Sequence, residues 1–550
     1  MNAVVKQISS LHKVRSSDSL DLPEIFEKTC LAGERFSYQV YLQNDRIAEA
    51  VVQLESPLAS YIRLYHVQEA SMDYPVYPNT PQEDYITQTP GLMPDILCPL
   101  SETGNKIFVR DTPSGIWVKV DIPQSYSAGT YEIELSFALR RPGEEEIFTV
   151  KKKMTIEVLP EALPEQKMIY TRWFYADCIA DAHGVEIFSE AHWELIEEYI
   201  AAAADVGVNM ILVPVHTPPL DTEIGTTRPC VQLVDVEKAG DTYRFSFQRF
   251  HRFIELCKRN GIRYYEIAHL FSQWGAKCAP NIRVTENGKE DYLFGWHVAA
   301  DSPQYVAFLK QYIAAIAGEL EKEGIAEYTY FHISDEPALE QLEEYRKAAI
   351  ILRSLIGKSK TLDALSHYEF YEQGLIDCPV TIVQNMRDFL CHNIPDQWTY
   401  YCCGPTTVYP NSFLAMPSYR TRVLGWMLYK FDIKGFLHWG FNFYNTCRSV
   451  YKINPYQTTS GDKSYPSGDA FIVYPGKDGA YPSVRGEITF EAMQDVDVCC
   501  ALEKYIGRDG VIAMIDAAAE MDLHFDSYPV GNAFSEGLRA QMIEKIRKFI

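Results

Sequence analysis

Two periodicities divide the chain. Up to about residue 158, apolar and polar positions alternate in short β-branched and aromatic runs: RFSYQVYLQ, EAVVQLE, YIRLYHVQ, GIWVKVDIP, GTYEIELSFAL and FTVKKKMTIEVLP. Period-two runs separated by turn-formers predict an all-β sandwich. A proline-marked linker, LPEALPEQ (159–166), ends it. Beyond the linker, apolar strand-like runs alternate with helical-period stretches such as AHWELIEEYIAAAADVG, QYVAFLKQYIAAIAGELEKEG and EQLEEYRKAAIILRSLIG. Eight strand candidates occupy 168–174, 209–215, 262–270, 327–334, 361–365, 380–384, 398–403 and 434–440. That count with crossover helices predicts an α/β barrel of the TIM-type (β/α)₈ class. The expected multidomain organisation is a β-sandwich over 1–160, the barrel over 165–510 and a helical segment over 511–550 packed on the barrel.

Loop lengths are uneven. Helix-to-strand connections are short (DVGV, RNG, KFDI), whereas strand-to-helix connections run from 216 to about 245, 271 to about 302 and 441 to about 486. These long loops are rich in Tyr, Gly, Asn and Asp. In a barrel of this class the strand-to-helix loops gather on one face and build the ligand site. Insertions confined to that face predict an elaborated pocket for a polar ligand.

The fourth strand candidate ends in YFHISDEP, so Asp335 and Glu336 stand side by side where an apolar run stops at Pro337. Helix capping explains them poorly. Pro337 at the first helical position makes Glu336 the cap, and Glu is a weak one; a cap at Asp335 leaves no capping box. Two close carboxylates can instead divide the work of acid and base, because each shifts the other's proton affinity. Strand alternation puts them on opposite sides, and a backbone turn before Pro337 is needed to bring both into one pocket. Conventional glycosidases oppose two carboxylates across the sugar, about 5 Å apart or more. Neighbours in sequence suit a substrate that supplies its own nucleophile, such as a 2-acetamido group.

Further candidates lie at other strand ends. HLFSQWGA supplies His269, Gln273 and Trp274; LHWGFNFYN supplies Trp439, Asn442 and Tyr444. Mixed aromatic, amide and acid side chains suit a sugar, with apolar ring faces and many hydroxyls. Packing is the competing explanation for each single aromatic, because the chain holds 36 tyrosines. Of Tyr400 and Tyr401, alternation lets one face inward. Asp363, His216 and Asp221 are candidate ligands or strand-end hydrogen-bonding groups, with Arg172 and Trp173 behind them. His332 reads as an interior histidine that tunes Glu336.

The net charge of −23 excludes a phosphate-binding face, so no nucleic acid is expected, and no basic amphipathic stretch suits a membrane. The N-terminal run MNAVVKQISSLHKVRSSDSL has no apolar core of a signal peptide, and a cytoplasmic location is expected. Thirteen cysteines, with vicinal pairs at 402–403 and 499–500, read as reduced thiols. No His/Cys cluster has metal-ligand spacing, and neither G-x-G-x-x-G nor G-x-x-x-x-G-K-[ST] occurs; no metal and no cofactor are expected.

FHISDEP, HLFSQWGA, WTYYCC, GFLHWGFNFYN and YPGKDG with the nearby SVR together resemble glycoside hydrolase family 123, over about 165–505. Family 20 hexosaminidases carry a related His…Asp-Glu run. The resemblance implies a β-N-acetylgalactosaminidase with an N-terminal sandwich and a (β/α)₈ catalytic domain, acting on a carbohydrate ending in an N-acetylhexosamine. By it, Asp335 orients the acetamido group and Glu336 is general acid, then base, with net retention. It further implies a tryptophan walling the acetamido group and a tyrosine at its carbonyl oxygen, here Trp439 and Tyr401. The alternatives are a glycosidase of other specificity and an inactive sugar-binding barrel.

Overall fold

The computed structural model describes residues 3–81, 84–357 and 359–550. The N-terminal sandwich consists of two five-stranded sheets. One runs Ala3–Ser9, Arg35–Asn44, Ser114–Asp121, Ile62–Met72, Gly91–Pro99; the other runs Glu27–Ala32, Ile147–Ala162, Gly129–Arg140, Ala48–Glu55, Lys106–Val109. Strand Arg35–Asn44 shows why the alternation is there. Phe36, Tyr38, Val40 and Leu42 face the sandwich core, while Tyr41, on the other face, packs with Ile8, Val14 and Leu20.

The second unit is a closed barrel of eight parallel strands: Ile169–Arg172, Met210–Val213, Tyr264–Ile267, Thr329–His332, Lys360–Leu365, Cys378–Ile382, Trp398–Tyr400 and Gly435–His438. Ile169 pairs with Gly435 to close it. Most of the strands are shorter than the apolar runs that predict them, and their residues are buried almost throughout, as a sheet covered by helices requires. Gly435 is there because the Trp398 ring occupies the place of a Cβ.

Two of the long loops are not irregular. The second carries the hairpin Asp235–Ala239/Thr242–Ser246 and the third carries Ile282–Glu286/Lys289–Phe294; together they make a four-stranded sheet above the barrel. Helix Val484–Ala519, broken at Gly507, and helix Ala533–Arg547 complete the chain. Ser483 caps the first of these, its side chain accepting from the Gly486 N–H at 3.1 Å.

Buried charges join the two units. Arg485 reaches from the start of the long helix to Asp95 of the sandwich, Nη2 to Oδ2 at 2.9 Å, and both side chains are shut away from water. The fully buried Lys119 reaches Glu487 at 2.7 Å and Asp205 at 2.6 Å. Removing one partner of such a pair strands the other charge at a cost of about 3–5 kcal/mol, whereas removing both is often near neutral. Arg485→Leu is therefore expected to lower the calorimetric unfolding midpoint by several degrees, and Arg485→Leu/Asp95→Leu to recover most of the loss. Equal destabilisation in the single and double variants would sink this account of the join.

Candidate active site

Strand Thr329–His332 stops two residues before the end of the run 327–334, and the chain then turns. The Ser334 N–H donates to Asp363 Oδ2 at 2.8 Å and its hydroxyl to the Ser272 carbonyl at 2.8 Å. Asp335 accepts at its own carbonyl from the Trp274 N–H at 3.0 Å. Glu336 has φ of 42°, a left-handed conformation that costs a non-glycine residue about 1–3 kcal/mol. This twist supplies the turn that alternation demands: it places both acids on one cavity. The next helical turn begins only at Leu339, capped from Ala338, so neither acid caps a helix.

The cavity has a volume of about 180 Å³. Gln273 Nε2 donates to Asp335 Oδ2 at 3.0 Å, and Gln273 Oε1 accepts from the Asp221 N–H at 2.6 Å. On the far side Tyr400 donates its hydroxyl to Glu336 Oε1 at 2.6 Å. Burial pushes the Asp335 carboxyl well above the usual range; Glu336 and Asp363 push it further, and Gln273 holds it back. Glu336 exposes its surface to the cavity, but the enclosing walls still raise its carboxyl; the Tyr400 hydroxyl opposes this and Asp363 adds to it. Two neighbouring carboxyls, both raised, titrate as a pair and not as independent acids.

Below the acids lies a buried relay. His332 Nε2 meets Glu266 Oε2 at 2.6 Å, and its Nδ1 stands 4.0 Å from Asp363 Oδ1. Burial alone strips charge from an imidazole, but the two carboxylates overcome it and His332 is pushed up to about 9. His269 stacks on it at 4.0 Å and is held well below its ordinary value by burial and by that neighbouring charge. Thr171 donates to Glu266, and Tyr345 to Asp363 Oδ2 at 3.0 Å. His269, His332 and Asp363 bring one potential ligand atom each within 4.8 Å of one another. The two rings are within 15° of parallel, however, and an ion lies in the plane of each imidazole that binds it. Stacked rings do not converge on one ion, and the trio acts as a stacked and charge-paired support.

The candidates from sequence therefore separate. Asp335, Glu336, Gln273, Trp274 and Trp439 line the cavity. His332, His269 and Asp363 are fully buried and lie outside its lining, beneath the acids. His216 is buried and directs Nε2 to the His269 carbonyl at 2.9 Å. Asn442 pairs through both ends of its amide with the Tyr175 backbone at 2.9 and 3.0 Å, and Tyr444 donates to the Val473 carbonyl at 3.0 Å. Both hold loops and do not line the cavity. Tyr401 is likewise turned away, packed on Phe436 and His438, and Tyr400 is the strand-seven tyrosine that faces in. Alternation requires one of the two, and the register with strand eight, Tyr400 opposite Leu437, decides which.

Residues that sequence reasoning passed over complete the wall: Tyr175, Tyr465, Leu220, Cys402, Cys403 and Cys447. Asp221 also lines it. Its Oδ1 accepts from the Arg448 N–H at 2.9 Å and its Oδ2 from the Tyr465 hydroxyl. Trp439 is fixed from behind, Nε1 donating to the buried Asp469 Oδ2 at 2.9 Å. Gly440 donates to His438 Nδ1 at 3.0 Å, so the neutral ring carries its proton on Nε2, which faces Asp469 Oδ1 at 3.4 Å.

Comparison with known proteins bears on the family and the fold. The family model described as glycoside hydrolase 123, catalytic domain, matches residues 173–502. The solved family 123 glycoside hydrolase from Clostridium perfringens, described as acting in glycolipid glycan hydrolysis, superposes with a TM-score of 0.74 at 14% identity, covering 100% of this chain and 98% of that one. The Parabacteroides merdae β-glucuronidase (TM-score 0.32, 10% identity, 84% of this chain and 50% of that one) is too distant to carry weight. So is the Thermobacillus composti GH10 xylanase (TM-score 0.31, 10% identity, 60% and 97%). No curated protein sequence matches.

Tyr400→Phe tests the link between wall and acid. The hydroxyl stabilises ionised Glu336, so its loss raises the carboxyl further and the proton stays on to higher pH. The alkaline limb of the turnover profile should move upward, while the rate at the optimum falls roughly ten- to a hundredfold, the worth of a hydrogen bond to a charged group. A downward or absent shift of that limb, measured as kcat/KM against pH, contradicts the assignment.

Proposed function

The chain belongs to glycoside hydrolase family 123 and hydrolyses glycosidic bonds, and from that premise we propose a retaining exo-β-N-acetylgalactosaminidase whose nucleophile is the substrate's own 2-acetamido group. One observation carries the reading. Among the described residues, the carboxylates lining the cavity are Asp335, Glu336 and Asp221, and both oxygens of Asp221 are already engaged by Arg448 and Tyr465. No free carboxylate opposes the neighbouring pair, as a conventional double displacement requires.

The chemistry then follows from the coupling of the pair. An acetamido N–H that donates to Asp335 favours its ionised form and leaves the proton on Glu336. Glu336 protonates the leaving oxygen as the acetamido oxygen attacks the anomeric carbon. Asp335, held by Gln273 and by the backbone bond to Trp274, faces the positive charge that develops on the cyclised amide. Glu336, now ionised and steadied by Tyr400, takes a proton from water, which opens the ring with net retention. Trp439 walls the acetamido methyl; Trp274, half-exposed at the rim, offers a face to the leaving group.

A terminal N-acetylgalactosamine on a glycolipid-type glycan is the proposed substrate, the class on which the Clostridium perfringens enzyme acts. The thirteen free thiols support a reducing compartment, and a cytoplasmic enzyme acting on released glycan fragments is the form we favour. No described helix is long and apolar enough to cross a membrane.

Nitrophenyl β-N-acetylgalactosaminide should release nitrophenol, and the matched galactoside without the 2-acetamido group should not. Asp335→Asn and Glu336→Gln are each expected to lower kcat/KM by about 10²–10⁴. Comparable turnover of the two glycosides would replace the substrate-assisted reading with another sugar specificity. Binding of N-acetylgalactosamine without turnover of any aryl glycoside would replace it with a lectin-like barrel.

A further inference from the structure

Two sulfurs stand beside the general acid with no part in that chemistry. Strand seven ends at Tyr400, and two residues on, Cys402 and Cys403 both line the cavity. Adjacent residues of an extended chain point apart, but here the Cys402 N–H turns back to the Gly404 carbonyl at 2.9 Å and both side chains open on the same cavity. Asn411 Nδ2 holds the Cys402 carbonyl at 3.0 Å and the Pro405 carbonyl at 3.2 Å, so the turn is fixed. The second thiol also meets the Tyr77 hydroxyl, which comes from the sandwich.

We propose that Cys402 and Cys403 form a dithiol site, open to the active-site cavity, for a soft electrophile that takes two sulfurs, of which a monosubstituted trivalent arsenical is the simplest. Span decides the ligand class. Two thiolates on one tetrahedral atom at about 2.3 Å each stand about 3.8 Å apart, a spacing that two vicinal side chains opening on one cavity can adopt, whereas a disulfide needs about 2.05 Å. A d¹⁰ dication wants further donors. Among the described residues no third His, Cys, Asp or Glu joins this pair in a metal-sized cluster. Trivalent arsenic with one organic group needs two sulfurs and no more.

The step balances without an oxidant. An arsine oxide, R–As=O, meets two thiols; two S–H bonds and the As=O bond break, two As–S bonds form, and the oxygen leaves as water with both protons. Arsenic stays trivalent. The pair is primed for it: the adjacent Cys402 thiol lowers the Cys403 thiol, burial opposes this, and Tyr77 lowers it further, while Cys402 keeps its proton. The other vicinal pair serves as an internal contrast. Cys499 and Cys500 lie on the helix Val484–Ala519, where neighbours diverge by about 100°, and Cys499 is buried against Met542.

An aryl-arsenic group on this pair occupies the cavity beside Tyr400 and Glu336, so occupancy blocks hydrolysis. The test uses the intact protein and phenylarsine oxide. Expected is a mass gain of one phenylarsenic group per chain with loss of two protons, and protection of Cys402 and Cys403 alone when the treated protein is unfolded, alkylated and peptide-mapped. Turnover, relative to each protein's own untreated rate, should fall roughly tenfold or more, as for a filled active-site pocket, and return with a small dithiol but not a monothiol. In Cys402→Ser/Cys403→Ser both the adduct and the relative inhibition should vanish. Protection of Cys447 or of the 499–500 pair in place of 402–403, an adduct that persists in the double variant, or an adduct at 402–403 that leaves turnover unchanged would each overturn the proposal. The mapping needs no variant, so a misfolded double mutant does not rescue it, and the mass readout is independent of which sugar the enzyme cleaves.

Discussion

A positive charge sealed inside the barrel sets the geometry of everything above it. His332 has no access to water, and an unpaired ion there would cost several kcal/mol. It is tolerable because Glu266 on strand three and Asp363 on strand five close on it from either side. That requirement fixes Asp363, and Asp363 in turn takes the Ser334 N–H, the last backbone group before the acids. It also fixes His269, whose neutral ring covers the imidazolium face, and His269 leads directly into Ser272, Gln273 and Trp274. The left-handed turn at Glu336 is therefore strain held both by the charge network beneath it and by the backbone bond from Trp274 to Asp335.

The same network sets the acidity of the pair. One imidazolium between two carboxylates leaves an excess negative charge under the pair, and Asp363 pushes both acids upward. Both carboxyls are thereby held above their ordinary range and titrate as a pair. Gln273 and Tyr400 then differentiate them, one donor each, so a substrate amide at Asp335 is enough to choose which acid carries the proton. Position and acidity have a common origin.

Much of this was legible in the chain. Six of the eight barrel strands stand inside their apolar runs and the fifth and sixth overlap theirs, starting one and two residues earlier, because a parallel strand buried on both faces must be apolar, and that signal is local. Asp335 and Glu336 were legible as two acids where an apolar run should end quietly. The choice between Tyr400 and Tyr401 was not, because a three-residue strand carries too little alternation to set its phase. Asn442 and Tyr444 have the composition of sugar ligands but hold backbone, since a loop of this length must pair its own amides. Tyr175 comes from loop one and Tyr465 and Cys447 from loop eight, and nothing local in sequence says that these two loops meet. The hairpins of the second and third loops were hidden for the same reason: each is a weak pair alone and gains its partner from the other loop.

The sandwich belongs to this site in a way that its sequence position conceals. Asp73, just past the strand Ile62–Met72, takes Thr458 Oγ1 at 2.7 Å, Ser460 Oγ at 2.6 Å and the Thr459 N–H at 3.1 Å. Tyr74 and Ser467 exchange further bonds, Ser467 N–H to the Tyr74 carbonyl at 2.7 Å and Tyr74 N–H to Ser467 Oγ at 2.9 Å. All of these partners lie in the long eighth loop, between Tyr444 and Tyr474, which has almost no regular structure to hold itself. That loop delivers Tyr465 to Asp221 and Asp469 to Trp439, so two walls of the cavity hang on hydrogen bonds from the other unit. A barrel alone would keep the support beneath the acids, because His332, Glu266 and Asp363 sit on barrel strands or just past them. It would lose the walls. The buried Asp95–Arg485 pair keeps the two units at the fixed distance this arrangement needs, and an ion pair suits that task because it tolerates no intermediate separation in a dry interface.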